Sequence, residues 1–231
     1  MSALSKALSS TLGTKAMVAV TGAILAFFVL GHMAGNLQLF MGQDAVNTYA
    51  ASLKGMPGPL WAARVVLLAT LILHIVGNLK LRARNQAARP EAYAVKKPID
   101  STLFSRTMLL SGLVLLAFIV YHLAHFTLGL IHPEYYALTD AEGRHDVFSM
   151  TVLGFQDPLV AASYLVAMGL LFMHLAHGVA SLFQTFGLRG MYWKDTIDLG
   201  GRLFAIVVVL GNVAMVVACL VGLIQPAQGE F

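Results

Sequence analysis

Four imidazoles, those of His32, His74, His122 and His174, lie deep within long apolar segments of the chain. Each follows the point where its segment enters the membrane (Lys15, Pro59, Arg106 and Pro158) by 15 to 17 residues. In helical form that spacing is roughly 24 Å. An imidazole can ligate a metal, hold a hydrogen bond or carry a proton. A lone histidine in an apolar helix can simply be satisfied by a neighbour, but ionisable groups in hydrocarbon are costly and mark function. Four at matched depth are hard to produce by packing alone. Weak repetition surrounds them: His32 and His74 each open His-x-x-Gly-Asn (Gly35-Asn36, Gly77-Asn78), while His122-Leu-Ala-His125 resembles His174-Leu-Ala-His177-Gly178. Positions three or four apart share a helix face. Such a face suits a flat macrocycle, with the imidazole on its metal, glycine admitting the ring edge, and an amide or second imidazole for hydrogen bonding.

The elements that carry these residues follow from composition. Hydrophobic residues make up 58% of the 231 and charged residues 11%, with mean hydropathy +0.76, against about 25% charged in a soluble domain. Apolar stretches at about 16–38, 60–80, 107–131, 159–186 and 203–225 can each cross roughly 30 Å of hydrocarbon. Because backbone amides in lipid must bond internally, we read an all-α membrane protein, a single domain over 1–231, with five transmembrane helices. Of fifteen Lys and Arg residues, only Lys54, Arg64 and Arg144 fall on the side opposite the amino terminus. The positive-inside rule then puts the amino terminus in the cytoplasm and the carboxyl terminus outside. Successive helices run in opposite directions, so equal depth becomes two levels: His32 and His122 outer, His74 and His174 inner. Two imidazoles facing each other across a bundle form the bis-histidine site of a b-type haem, and two such sites make an electron path across the bilayer.

Other chemistries fit less well. Zinc wants four converging ligands, whereas the histidines separate by level. Di-iron sites need intrahelical carboxylates, and the central parts of these helices have none; a relay through His and Tyr121 or Tyr164 stays open. The positive net charge and pI near 9.3 reflect sidedness rather than nucleic-acid binding. Cys219 reads as a packed thiol, and without Cys-x-x-Cys-His there is no covalent haem attachment. The first segment looks retained rather than cleaved. The stretch 81–106, with Arg82, Arg84, Arg89, Pro90, Tyr93, Lys96, Lys97 and Pro98, reads as a headgroup-binding loop that could also dock a protein. The stretch 132–158 gathers Glu134, Asp140, Glu142, Asp146 and Asp157 and is long enough for a partner contact or an amphipathic piece.

The five-helix order, one such histidine in each of the first four helices, Phe118-Ile-Val-Tyr-His122, and His174 followed by Gly178 and Ser181-Leu-Phe resemble the di-haem cytochrome b subunit of succinate dehydrogenase and fumarate reductase. The 42 residues between His32 and His74 also resemble that family. The resemblance covers nearly the whole chain. It implies a bundle of helices I–IV around two haems b, the outer held by His32 and His122 and the inner by His74 and His174. It also implies a membrane anchor for a flavoprotein subunit with the dicarboxylate site and an iron–sulfur subunit, both cytoplasmic, in a bacterial cytoplasmic membrane. Electrons from succinate would pass the inner haem and then the outer to a quinone, menaquinone in such members; fumarate reduction reverses the path.

The family pattern selects His122 over His125 and His174 over His177, leaving His125, His177, Asn36 and Asn78 as hydrogen-bonding neighbours. Quinone candidates are Asn36, Gln38, Asp44, Tyr49 and Arg64, each also readable as an interfacial residue. Some relatives are thought to carry an acidic group in helix IV for transmembrane protons; here Phe172 and Met173 precede His174 instead. Phe118 and Phe172 are candidate haem neighbours. His132 and His145 read as solvated, Trp61, Tyr192 and Trp193 as headgroup-level anchors, Gly200-Gly201 as a turn, and helix V as a brace. Two other functions compete: a cytochrome b subunit of hydrogenase, formate dehydrogenase or a nitrate enzyme, and a non-redox transporter or assembly protein.

Overall fold

Apolar sequence too long for a soluble core dictates the architecture, and the computed structural model, which describes residues 10–89, 91 and 101–227, is helical throughout, with no strand among those residues. Helix α1 (Thr11–Asn36) starts where the Ser10 hydroxyl accepts the Gly13 N–H at 3.0 Å, and ends in a 3₁₀ turn, Leu37–Met41. Gly42, at φ +98°, turns the chain into α2 (Gln43–Lys54); only glycine takes that backbone without strain. Helix α3 (Pro57–Ala87) opens on a proline, whose missing N–H costs nothing there. Helix α4 (Leu103–His122) passes into a π turn, Leu123–Thr127. Short α5 (Pro133–Tyr136) and α6 (Val147–Gln156) precede α7 (Pro158–Thr185) and α8 (Lys194–Leu220). Among the described residues five helices, α1, α3, α4, α7 and α8, are long and apolar enough to cross a membrane.

The last of these departs from expectation. It begins at Lys194, and Gly200-Gly201 lie inside it rather than in a turn. Gly201 is buried, and a Cβ there would stand 3.0 Å from the Ala176 carbonyl oxygen and 3.5 Å from the Ala180 nitrogen. The missing side chain lets the α8 backbone meet α7, as small residues do between membrane helices. Around that approach Leu175, Ala176, Ala205 and Val208 form one core cluster. Helix α8 therefore braces α7 as expected, and it also touches α1 and α6.

The 132–158 stretch is not a simple polar loop. Its second half is α6, which buries Phe148, Val152 and Phe155 against Tyr164, Met215 and Cys219. A polar knot seats this cap on α2. Fully buried Asn47 donates to Asp140 and Asp146, each at 3.0 Å, and accepts the Phe148 N–H at 3.1 Å. Arg144 donates to Asp140 at 2.7 Å and to Asp44 at 3.0 Å. Burial pushes the Asp140 and Asp146 carboxyls up, but hydrogen bonds outweigh it, and both titrate below the ordinary carboxylate range. The donors are Asn47 and Arg144 for Asp140, and Ser149, Asn47 and Gln43 for Asp146. Lys6, Pro90, Tyr93, Lys96, Lys97 and Pro98 lie outside the described residues.

Candidate functional site: two histidine pairs

Helix packing decides which histidines meet. Helix α1 packs on α3, α7 and α8, and α4 on α7, whereas α1 with α4 and α3 with α7 have little or no close backbone contact. The imidazoles bridge those two gaps. His32 and His122 have ring centroids 5.7 Å apart, and His74 and His174 6.5 Å. Two imidazoles trans on one metal, with bonds of about 2 Å each, would have centroids roughly 6 Å apart. All four rings stay partly accessible, His32 most. A polar nitrogen left facing hydrocarbon is costly, so these rings call for a covering group. Among the described residues, no cluster of three or more His, Cys, Asp or Glu is placed to enclose a metal by side chains alone.

Hydrogen bonding prepares three of the rings. His74 Nδ1 lies 3.2 Å from the Val18 carbonyl oxygen and 3.2 Å from Thr21 Oγ1. A carbonyl only accepts, and the Thr21 hydroxyl already donates to Met17 at 2.8 Å, so Nδ1 carries the proton. Nε2 is left with its lone pair. His174 repeats the arrangement: Nδ1 meets Ser111 Oγ at 3.2 Å, and Ser111 donates to the Met108 carbonyl at 3.1 Å. This pattern, with the outer N–H held and the other nitrogen presented, orients metal-binding imidazoles. His122 Nδ1 rests 3.2 Å from the Tyr164 hydroxyl, which also stands 3.3 Å from His125 Nδ1. His32 differs, because the Asn36 amide donates to its Nε2 at 3.2 Å. That amide must swing away before this nitrogen can bind a metal.

The glycines behave differently from the sequence expectation. Gly35 and Gly77 admit neighbouring protein rather than a ring edge: a Cβ at Gly35 would meet the Tyr49 hydroxyl at 2.9 Å, and one at Gly77 the side chains of Val18 and Met17 at 2.6 and 2.7 Å. Gly22 and Gly112, in unremarked positions, lie against the histidines, with Cβ positions 3.1 Å from His74 Cε1 and 3.5 Å from His174 Cε1. Asn78 turns back to its own helix, donating to the His74 carbonyl at 2.8 Å. A cavity of about 390 Å³ adjoins the inner pair through Val18 and is lined also by Lys15, Asn78, Ser181, Gln184 and Thr185.

The remaining candidates scatter. Tyr49 reaches the His32 neighbourhood at Gly35, whereas Asp44 is tied to Arg144 and Arg64 lies 5.0 Å from the Trp61 ring centroid. Gln38 is half-buried on the 3₁₀ turn. Phe118 packs on His122 with centroids 6.0 Å apart, while Phe172 meets Phe104 at 5.9 Å. His125 is buried; His177 is half-buried in the field of the Arg189–Asp198 ion pair. His132 and His145 are half-buried rather than solvated, His132 on Tyr135 and His145 on Tyr136. Thr21 and Ser111 could have been noticed as hydroxyls isolated in apolar helices, but the Val18 carbonyl leaves no trace in sequence. Comparison with protein families, with curated proteins and with solved structures finds no match.

Proposed function

We propose that this chain is the membrane anchor and electron-transfer subunit of a succinate:quinone oxidoreductase, a succinate dehydrogenase or fumarate reductase. It would hold one haem b between His74 and His174 and a second between His32 and His122. The observation that carries the reading is the pairing of four imidazoles from membrane-spanning helices across two gaps where those helices otherwise stand apart. Bound there, haem b supplies one-electron chemistry of the low-spin kind suited to transfer rather than oxygen binding.

The chain's own part is positioning and insulation. Val18 and Thr21 fix the His74 tautomer, and Ser111 fixes that of His174. Tyr164, itself boxed by Phe118, Phe126 and Phe155, anchors the His122 ring. Lys15, Ser181, Gln184 and Thr185 offer polar groups beside the inner pair, at the end of the bundle where the positive-inside rule places cytoplasm. A flavoprotein and an iron–sulfur subunit would dock on that side. A quinone, menaquinone by the resemblance, would bind toward the outer pair, where Asn36 meets His32 and Tyr49 lies against Gly35.

Gentle detergent extraction tests this assignment. The chain is expected to co-purify with a flavoprotein and an iron–sulfur subunit, and succinate is expected to reduce its b-type absorbance. Co-purification with a hydrogenase or formate dehydrogenase instead would overturn the partner assignment.

A further inference from the structure

The outer pair has a polar connection to the surface. His125 is 2% exposed. Its Nδ1 lies 3.3 Å from the Tyr164 hydroxyl, which stands 3.2 Å from His122 Nδ1. On its other side the His125 ring is 5.9 Å, centroid to centroid, from His132, a gap that one water or a small ring rotation closes. His132 Nδ1 meets Glu134 Oε1 at 3.1 Å, and that carboxylate is 59% exposed. Gly154 leaves space for the His125 ring, since a Cβ there would come within 3.0 Å of Nε2. Packing alone gives no reason to line up an exposed acid, two imidazoles and a phenol.

We propose that His125 is a redox-linked proton site for the outer histidine pair, loaded from water through Glu134 and His132. This rests on the proposed haem at His32 and His122. If His122 presents Nε2, its Nδ1–H donates to Tyr164, and the Tyr164 O–H must then donate to His125 Nδ1. His125 is thereby left neutral, with its proton on Nε2. When one electron reaches the outer pair from a partner's iron–sulfur centre or an added low-potential reductant, negative charge grows in a low-dielectric region and favours a compensating cation nearby. One proton then passes from water by way of Glu134 and His132 to the free Nδ1 of His125, which a flip of the ring turns from Tyr164 toward His132, making imidazolium; the ring swings back and the Tyr164 hydroxyl turns to accept from its Nδ1–H. Oxidation returns the proton outward. The titratable groups around His125 are Tyr121 and His122 on its own helix, Tyr164 and Asp157 on and just before α7, and His132 beyond the π turn. Helix α6 offers only Gly154 and Phe155 nearby. Glu134 and Asp157 both titrate below the ordinary carboxylate range, so they remain anionic and favour a proton on this chain of rings.

Spectroelectrochemical titration of the full complex between pH 6 and 8.5 tests the assignment, the outer component being the one lost in His122→Ala. In the wild type its midpoint is expected to fall with pH toward about 59 mV per unit, the one-electron equivalent of a tenfold change in proton activity. In His125→Asn, which can still bond Tyr164 but does not titrate, the slope should flatten. As a second measurement, an indicator dye in weakly buffered detergent should report up to one proton taken up per outer reduction, tenfold slower or more in His132→Ala. This decides the matter if His125→Asn loses the outer component. A flat wild-type slope, an unchanged slope in His125→Asn, or unaltered uptake in His132→Ala would overturn the proposal. Absence of haem from the wild type would overturn the underlying function instead.

Discussion

The inner histidines derive their orientation from two hydroxyls and one carbonyl. Because Ser111 and Thr21 already donate to their own helices, each can only accept from an imidazole, and the tautomer follows. Removing such a partner typically costs 10- to 100-fold in metal affinity. If the proposed haem sits at His74 and His174, Ser111→Ala should lower its retention on dilution by roughly that factor, while His174→Ala abolishes it and His177→Ala leaves it. Loss of the inner spectral component in His177→Ala with retention in His174→Ala would reverse the ligand choice. At His32 the sign is opposite, since Asn36 occupies the nitrogen a metal would need. Asn36→Ala should raise outer-site affinity in reconstitution titrations, and a fall would mean that the amide supports the ligand.

At the scale of elements, the apolar helices and the histidine spacing were legible from composition and periodicity, but small residues were not. Gly200-Gly201 looked like a turn because two glycines before an apolar run usually are; the helix instead starts earlier and uses Gly201 to approach Ala176. The same ambiguity hid the work of Gly22 and Gly112, whose neighbours come from other helices. Helix α6 escaped because Val147 to Phe155 is too short to span and was flanked by acids, although its apolar run was visible. Gly201→Val should overpack the α7–α8 contact and lower stability by about 1–3 kcal/mol, read as an earlier thermal transition in detergent. An unchanged transition would show that these helices are held apart in the membrane.

For the whole molecule, the cap of α2, α5 and α6 covers the His32–His122 end of the bundle and depends on Asn47, Asp140 and Asp146. Asn47→Ala leaves buried groups unsatisfied, at about 1–3 kcal/mol, and should speed proteolysis of the 132–158 segment. The two aspartates titrate lower in the folded cap than in the unfolded chain. Their stabilisation is accordingly complete above the ordinary aspartate range and is lost as pH falls through the depressed values. Protection of the α6 amides, their exchange rate relative to that of an unfolded amide at the same pH, should stay high near neutral pH and fall below about pH 4; protection that persists through the acid range would contradict the assignment. Beneath the cap, the account rests on two histidine pairs at two levels. The most direct test is the haem content and reduced-minus-oxidised visible spectrum of the purified chain. Two non-covalent haems b per chain, one lost in His122→Ala and the other in His74→Ala, is the expected result, whereas a chain purified with no b-type α-band would contradict it.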